Sequence, residues 1–246
     1  MTELAYMVRE DWAQHGTTMV PQSAVIRDWL GQAPYLFAVT DVKKFNHNDR
    51  SADLETGDFI APSAADRRVF NVSELGGLSR QDKVLDHAVV ILHPYGERDL
   101  DALGDAVKHD ALGKVFVMIW SPRDMVRAWL DGLGALNLHT GEALGAPDPL
   151  MVEAGKSMVN EEYNGLSSGK GKDAVVQLVR AFTAAGYPLD VDAWLRAYFA
   201  AGGTFRHGEE VAKLLGEMKK GIKHRVKDRY RDNIVEILRD RLAAKA

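Results

Sequence analysis

The sequence predicts an α/β domain with a partly parallel sheet over residues 1–148, followed by an all-helical domain over residues 149–246. Three observations carry this. Short runs apolar on both faces alternate with helix-periodic stretches in the first half, no strand pattern follows residue 172, and the charge balance changes sign between the halves. Residues 1–150 hold 14 Lys/Arg against 22 Asp/Glu, whereas residues 151–246 hold 17 against 13. Such a split points to two functional halves, one of which meets an anion.

Taken in order, residues 35–40 and 68–72 read as strands. Residues 43–66 between them are mostly polar and without a clear period, which predicts a long surface loop or irregular insertion. Residues 87–92 form a strand apolar on both sides, as a parallel sheet covered by helices requires. Leu100, Leu103, Val107 and Ala111 then recur at helical spacing, so residues 99–112 form an amphipathic helix with Gly113 as its stop. Residues 115–120 are a second continuous apolar run. Ser121, Pro122 and Asp124 follow as N-cap, first-turn proline and third-position acid of a helix running to Asp131 or Gly132. Strand, helix, strand, helix is the βαβ pattern.

The Gly- and Pro-containing residues 141–149 read as the linker between the domains, and residues 164–172 as a second, flexible and basic break capped by Asp173. Helices are expected over 173–185, 190–201, 207–230 and 233–244, the last capped by Asp232. There is no internal repeat of fixed period and no sustained coiled-coil heptad.

Composition narrows the function. The mixture is 46% hydrophobic and 27% charged, which supports a folded core rather than a disordered chain. The longest apolar runs are far shorter than the roughly 18–20 residues needed to span a bilayer, and the N-terminus lacks a signal-peptide pattern. No cysteine is present, which excludes disulfides, thiolate metal sites and thiol nucleophiles and suits a cytoplasmic location. The histidines are scattered, so no metal centre is expected, and no cofactor is implied. Residues 165–170 miss the phosphate-loop spacing, and neither a G-x-G-x-x-G nor a G-x-S-x-G element stands after a strand.

The strongest chemical signal is residues 213–231, with eight Lys/Arg against two acids. Read as one helix, Val211, Leu215, Met218, Ile222, Val226 and Tyr230 form its packing stripe. Lys219, Lys220, Lys223, Arg225, Lys227, Arg229 and Arg231 then take most of the remaining circumference. With Lys170 and Lys172 they make a surface whose repulsion a polyanion relieves, so DNA or RNA is the expected partner. A helix-turn-helix starting its second helix near His207 would place Glu209 and Glu210 against phosphates, so contact with the backbone fits better than base reading. A solvated charged face, or an acidic protein surface such as the acidic half of a second copy, fits the same residues. The protein would then be an interaction subunit.

A third reading is an enzyme acting on a small anion at the strand ends, where Asp41, Lys43, His93, Tyr95, Glu97, Ser121, Arg123 and Asp124 gather; His93, Glu97 and Arg123 are the leading candidates. Asp28 with Asp41 and Lys43 has the residue types of a metal-dependent nuclease. Each also has an ordinary role, since polar residues crowd any loop and Ser121 with Asp124 makes a capping box.

Overall fold

A computed structural model describes residues 2–32, 35–47, 51–63, 67–75, 87–109 and 112–245. These divide into two compact units: Met1–Leu130 with Gly134–Leu144, and Asp131–Leu133 with Gly145–Ala246. The first is α/β, and the second is helical.

The first unit runs β1 (Glu3–Val8), α1 (Arg9–Ala13), α2 (Met19–Leu30), β2 (Tyr35–Val39), α3 (Val42–His47), α4 (Ala52–Ile60), β3 (Arg68–Asn71), β4 (Ala88–Leu92), α5 (Glu97–Lys108), β5 (Lys114–Ile119), α6 (Met125–Gly132), β6 (Leu136–Asn137) and β7 (Glu142–Ala143). The strands pair in the order β3-β2-β4-β5-β1-β6-β7. All pairings are parallel except β6 with β7. β1 was not foreseen, because its six residues carry no bounding turn signal; the structure puts it beside β5, with Tyr6 opposite Val117.

Chain order dictates which face each helix covers. From β1 the chain returns three places toward β3, and from β2 one more in the same direction; from β4 and β5 it moves the opposite way. Right-handed crossovers therefore put α1–α4 on one face and α5 and α6 on the other. Accordingly, Met7, Phe37, Val39, Val90, Phe116 and Met118 pack with Trp12, Ile26, Leu30, Phe45 and Ile60 in one buried cluster. Each such large apolar side chain withdrawn from water contributes about 1.5–3 kcal/mol. β1 and β5 are neighbours whose outgoing connections part to opposite faces. Open α/β sheets bind ligands outside the carboxyl ends of strands whose connections part in this way.

Residues 43–66 are not a loop. α3 and α4 occupy most of their described part, while residues 48–50 and 64–66 lie outside the described residues. The missed signal is Ser51, whose hydroxyl accepts from Leu54 N at 3.0 Å and caps α4. α5 ends at Lys108, ahead of the expected Gly113; Asp110 and Ala111 of that expected helix lie outside the described residues. α6 starts one turn later than expected. Asp124 bends back to accept from Trp120 N (3.2 Å) and Ser121 N (2.9 Å), so residues 121–124 form a turn instead of the first helical turn.

The second unit contains α7 (Pro149–Val159), α8 (Gly169–Ala184), α9 (Val191–Ala200), α10 (Phe205–Lys219) and α11 (Ile234–Ala243) around buried Phe182, Trp194, Tyr198, Phe199 and Phe205. Asp148 caps α7, accepting from Leu150 N and Met151 N, with Pro149 at its first position. Three expectations fail here. Asp173 lies inside α8, which begins at Gly169 after Ser168 and so absorbs Lys170 and Lys172 into its first turn. Asn233, not Asp232, precedes α11. The helix expected over 207–230 runs only from Phe205 to Lys219.

Candidate nucleic-acid interface and strand-end cluster

Gly221 breaks the basic helix. It adopts φ +82°, its N–H donates to Met218 O at 2.9 Å, and Ile222 N donates to Glu217 O at 3.0 Å. This pair of bonds is the Schellman closure, in which a left-handed glycine satisfies the last carbonyls and turns the chain away. Of the expected packing stripe, Val211 and Leu215 are buried, but Ile222 is 50% exposed.

Residues 222–231 then continue without helix or strand pairing, laid against α8. Arg180 donates to His224 O at 2.7 Å. The Gln177 amide oxygen accepts from Arg229 N (2.6 Å) and Tyr230 N (3.0 Å), and its nitrogen donates to Asp228 Oδ1 at 3.3 Å. Lys170, Asp173, Gln177 and Arg180 follow one another at three- and four-residue steps and so share one face of α8. The segment thus travels from the Arg180 level back toward the helix N-terminus, where Lys170 is exposed and Lys172 half-buried. Of the two lysines only Lys170 shares the face of α8 on which the segment lies.

Burial alternates along the segment except at Asp228, which is exposed between Lys227 and Arg229. His224, Val226 and Tyr230 are half-buried, whereas Lys223, Arg225, Lys227, Arg229 and Arg231 are exposed. Arg229 ion-pairs with Glu161, which holds its guanidinium still more firmly protonated. Burial pushes the Tyr230 phenol up, and Glu161 adds to that. Lys219 and Lys220, at the end of α10, are exposed as well. At the other end of this helix Glu209 is exposed, but Glu210 accepts from Leu166 N at 2.6 Å and meets His207 Nδ1 at 2.9 Å. Burial raises the Glu210 carboxyl, yet the bonds from His207, Leu166 N and Ser167 outweigh it and leave it below its ordinary range.

An open cleft of about 450 Å³ adjoins the start of the segment, lined by Leu189, Met218 and Ile222 with Arg180 and Lys223 among its walls. At the far end, Tyr163 is 97% exposed, in the short turn beside Glu161. Gln177, Arg180 and Glu161 were not anticipated, because only the broken helix makes them neighbours of the cations, and nothing in the sequence singled out Tyr163.

In the first unit the strand-end residues separate into two groups. Asp41 accepts from Lys44 N at 3.0 Å and caps α3, Lys43 is exposed, and Asp28 is exposed on α2. Glu97 and Arg123 are exposed. His93 acquires an acid: its Nδ1 lies 2.5 Å from Asp53 Oδ1 of α4. Its side chain is 10% exposed, its Nε2 is buried without a hydrogen-bond partner, and its ring meets Trp120 edge-on at 4.8 Å. Among the described residues His93 is the one non-glycine with positive φ, at +43°. A residue before proline is otherwise held to extended backbone, so the conformation is strained.

Arg9, leaving β1, presents Asp53. Its guanidinium ion-pairs with Glu55 and donates to Ala52 O (3.5 Å) and Thr56 Oγ1 (3.3 Å), fastening the first turn of α4 near the strand ends. It also lies 5.3 Å from the Trp12 ring and 5.6 Å from that of Trp120. Ser121 donates to Glu10 at 2.9 Å. Sequence reasoning missed Arg9 and Asp53, which are 44 residues apart and joined only by folding. No group of three potential metal ligands occurs among the described residues, and no described helix is long and apolar enough to cross a membrane.

A scan against protein-family models finds no match, and comparisons with curated proteins and with solved structures find none either.

Proposed function

We propose that this protein binds nucleic acid through the phosphate backbone, using Lys219, Lys220, Lys223, Arg225, Lys227, Arg229 and Arg231 together with Lys170 and Lys172. One observation carries the reading: five cations stand at every second position of a non-helical segment, all exposed. That segment lies on the helix whose first turn holds Lys170 and Lys172. Helix N-termini favour anions, so the end of α8 adds to the attraction. Such binding is largely independent of sequence, because phosphates carry none. A cytoplasmic location accompanies this reading, since a cysteine-free fold suits a reducing compartment.

The test is anisotropy of labelled DNA and RNA between low and high salt. Four neutralised phosphates give a slope of log affinity on log salt of roughly −3. Substituting Lys219, Lys220, Lys223 and Lys227 by Glu should abolish binding. Absence of salt-dependent affinity, or binding unchanged in that variant, overturns the proposal. Self-association that weakens with salt and survives nuclease treatment, without nucleic-acid affinity, would instead indicate an acidic protein surface as partner.

A second reading is favoured by His93. A strained, nearly buried imidazole, oriented by a carboxylate at 2.5 Å and carrying an orphaned Nε2, has the parts of a general base. Asp53, Glu55 and Glu10 stand nearby against Arg9, so a neutral or cationic small substrate suits these strand ends better than an anion. Thermal-shift screening of small amines, alcohols and carboxylates against the wild type and His93→Asn tests this. A compound stabilising only the wild type supports it; none doing so removes it.

A further inference from the structure

We infer that the nucleic acid taken by the basic segment is single-stranded, with one base in the cleft beside Ile222 and another stacked on Tyr163. The inference rests on the phosphate-binding proposal and names its substrate class. Three features of the second unit converge on it.

The first is the form of the cationic element. The major groove of a duplex admits an α-helix or a two-stranded ribbon. Beyond Gly221 the cations sit on neither, but on one irregular strand whose backbone N–H groups of Arg229 and Tyr230 are already held by Gln177. Docked by its backbone, the segment offers side chains to a phosphate chain lying over it and has no edge to insert. The remaining groove candidate, the start of α10, exposes Glu209.

The second is Tyr163. A large aromatic that is 97% exposed gains nothing from its own fold. It stands two residues from Glu161, whose carboxylate holds Arg229, the fourth of the five cations. Inside a duplex both faces of a base are covered by its neighbours, whereas an unpaired base can lay a face on a phenol ring. Cation tracks with interleaved aromatic platforms are how single strands are held without sequence preference.

The third is the cleft at the opposite end of the row. Its volume of about 450 Å³ lies within the range of small-molecule sites. Met218, Leu189 and Ile222 supply apolar walls for a flat ring, while Arg180 and Lys223 supply charge for the phosphates on either side. Platform, cations and cleft succeed one another along α8.

The experiment compares a labelled 12-nucleotide single strand, the same sequence as a duplex, and an abasic strand of equal length, each in DNA and RNA. The wild type should bind the single strand most tightly and the abasic strand less. Tyr163→Ala alters no buried contact, so the chain folds as before; it should weaken single-strand binding about 5- to 140-fold at constant salt and leave duplex binding unaltered. Met218→Glu, which puts a carboxylate into the cleft, should weaken it too, with circular dichroism and melting reporting the fold. Equal affinity for duplex and single strand, or for abasic and normal strands, or no effect of Tyr163→Ala, overturns the inference while the backbone proposal stands. If Lys223→Glu with Lys227→Glu changes no binding at all, the backbone proposal itself fails.

Discussion

Gln177, in the middle of α8, bonds the backbone of Arg229 through one amide group, accepting from Arg229 N at 2.6 Å and from Tyr230 N at 3.0 Å. A helix side chain thereby does for residues 228–230 what a neighbouring strand does in a sheet. Gln177→Ala should release the segment at a cost of about 1–3 kcal/mol, since each of the two net hydrogen bonds contributes about 0.5–1.5 kcal/mol. Limited trypsin digestion checks it. Cleavage after Lys223, Arg225 and Lys227 should become faster than in the wild type, and unchanged rates would show that the segment is held by something else.

Acid stability should depend on Glu153. Hydrogen bonds from Lys156 (2.6 Å) and Lys245 (2.8 Å) hold its carboxyl below the ordinary value of 4.5. Because the folded pKa is depressed, the bonds stabilise the protein fully above about pH 4.5, and the contribution is lost as pH falls through the lower folded value. The stability gap between wild type and Glu153→Gln should be constant from pH 6 to 8 and close progressively below about pH 4.5. Denaturant melts across this range measure it.

Two glycines should respond oppositely to alanine. A Cβ on Gly203 would fall 2.2 Å from the Tyr198 ring, whose hydroxyl is bonded to Glu162 and cannot move without breaking that bond. Gly203→Ala should therefore cost about 2 kcal/mol or more. Gly216 lies within α10 with nothing within 4 Å of its would-be Cβ, so Gly216→Ala should stabilise by about 0.5–1 kcal/mol. Thermal melts should order the three proteins accordingly.

The backbone at His93 makes its own prediction. Asparagine tolerates φ +43°, whereas a β-branched residue does not. Both substitutions remove the imidazole, so the loss of the Asp53 contact cancels between them. His93→Val should be less stable than His93→Asn by about 1–2 kcal/mol. Equal stabilities would mean that the chain relaxes at this position.

Much of the first unit was legible because its signals are local. Residues 88–92 and 115–119 are apolar on both faces, which only a strand between two helix layers can satisfy. The charge reversal between halves is likewise a property of composition. α4 was hidden because its cap, Ser51, precedes a polar stretch with a weak period, and β1 because six residues say little without the partner β5.

What the sequence by itself determined is the set of cations near residues 213–231 and the apolar runs that build the sheet. Tertiary structure alone decided their arrangement. Helical periodicity carried on past Gly221 in the sequence, but one left-handed glycine closes the helix, and the next residues find their hydrogen bonds on the side chains of Gln177 and Arg180, some fifty residues earlier. The pairing of His93 with Asp53 has the same origin. Each is specified by how the chain returns past itself, and no local pattern encodes a partner forty residues away.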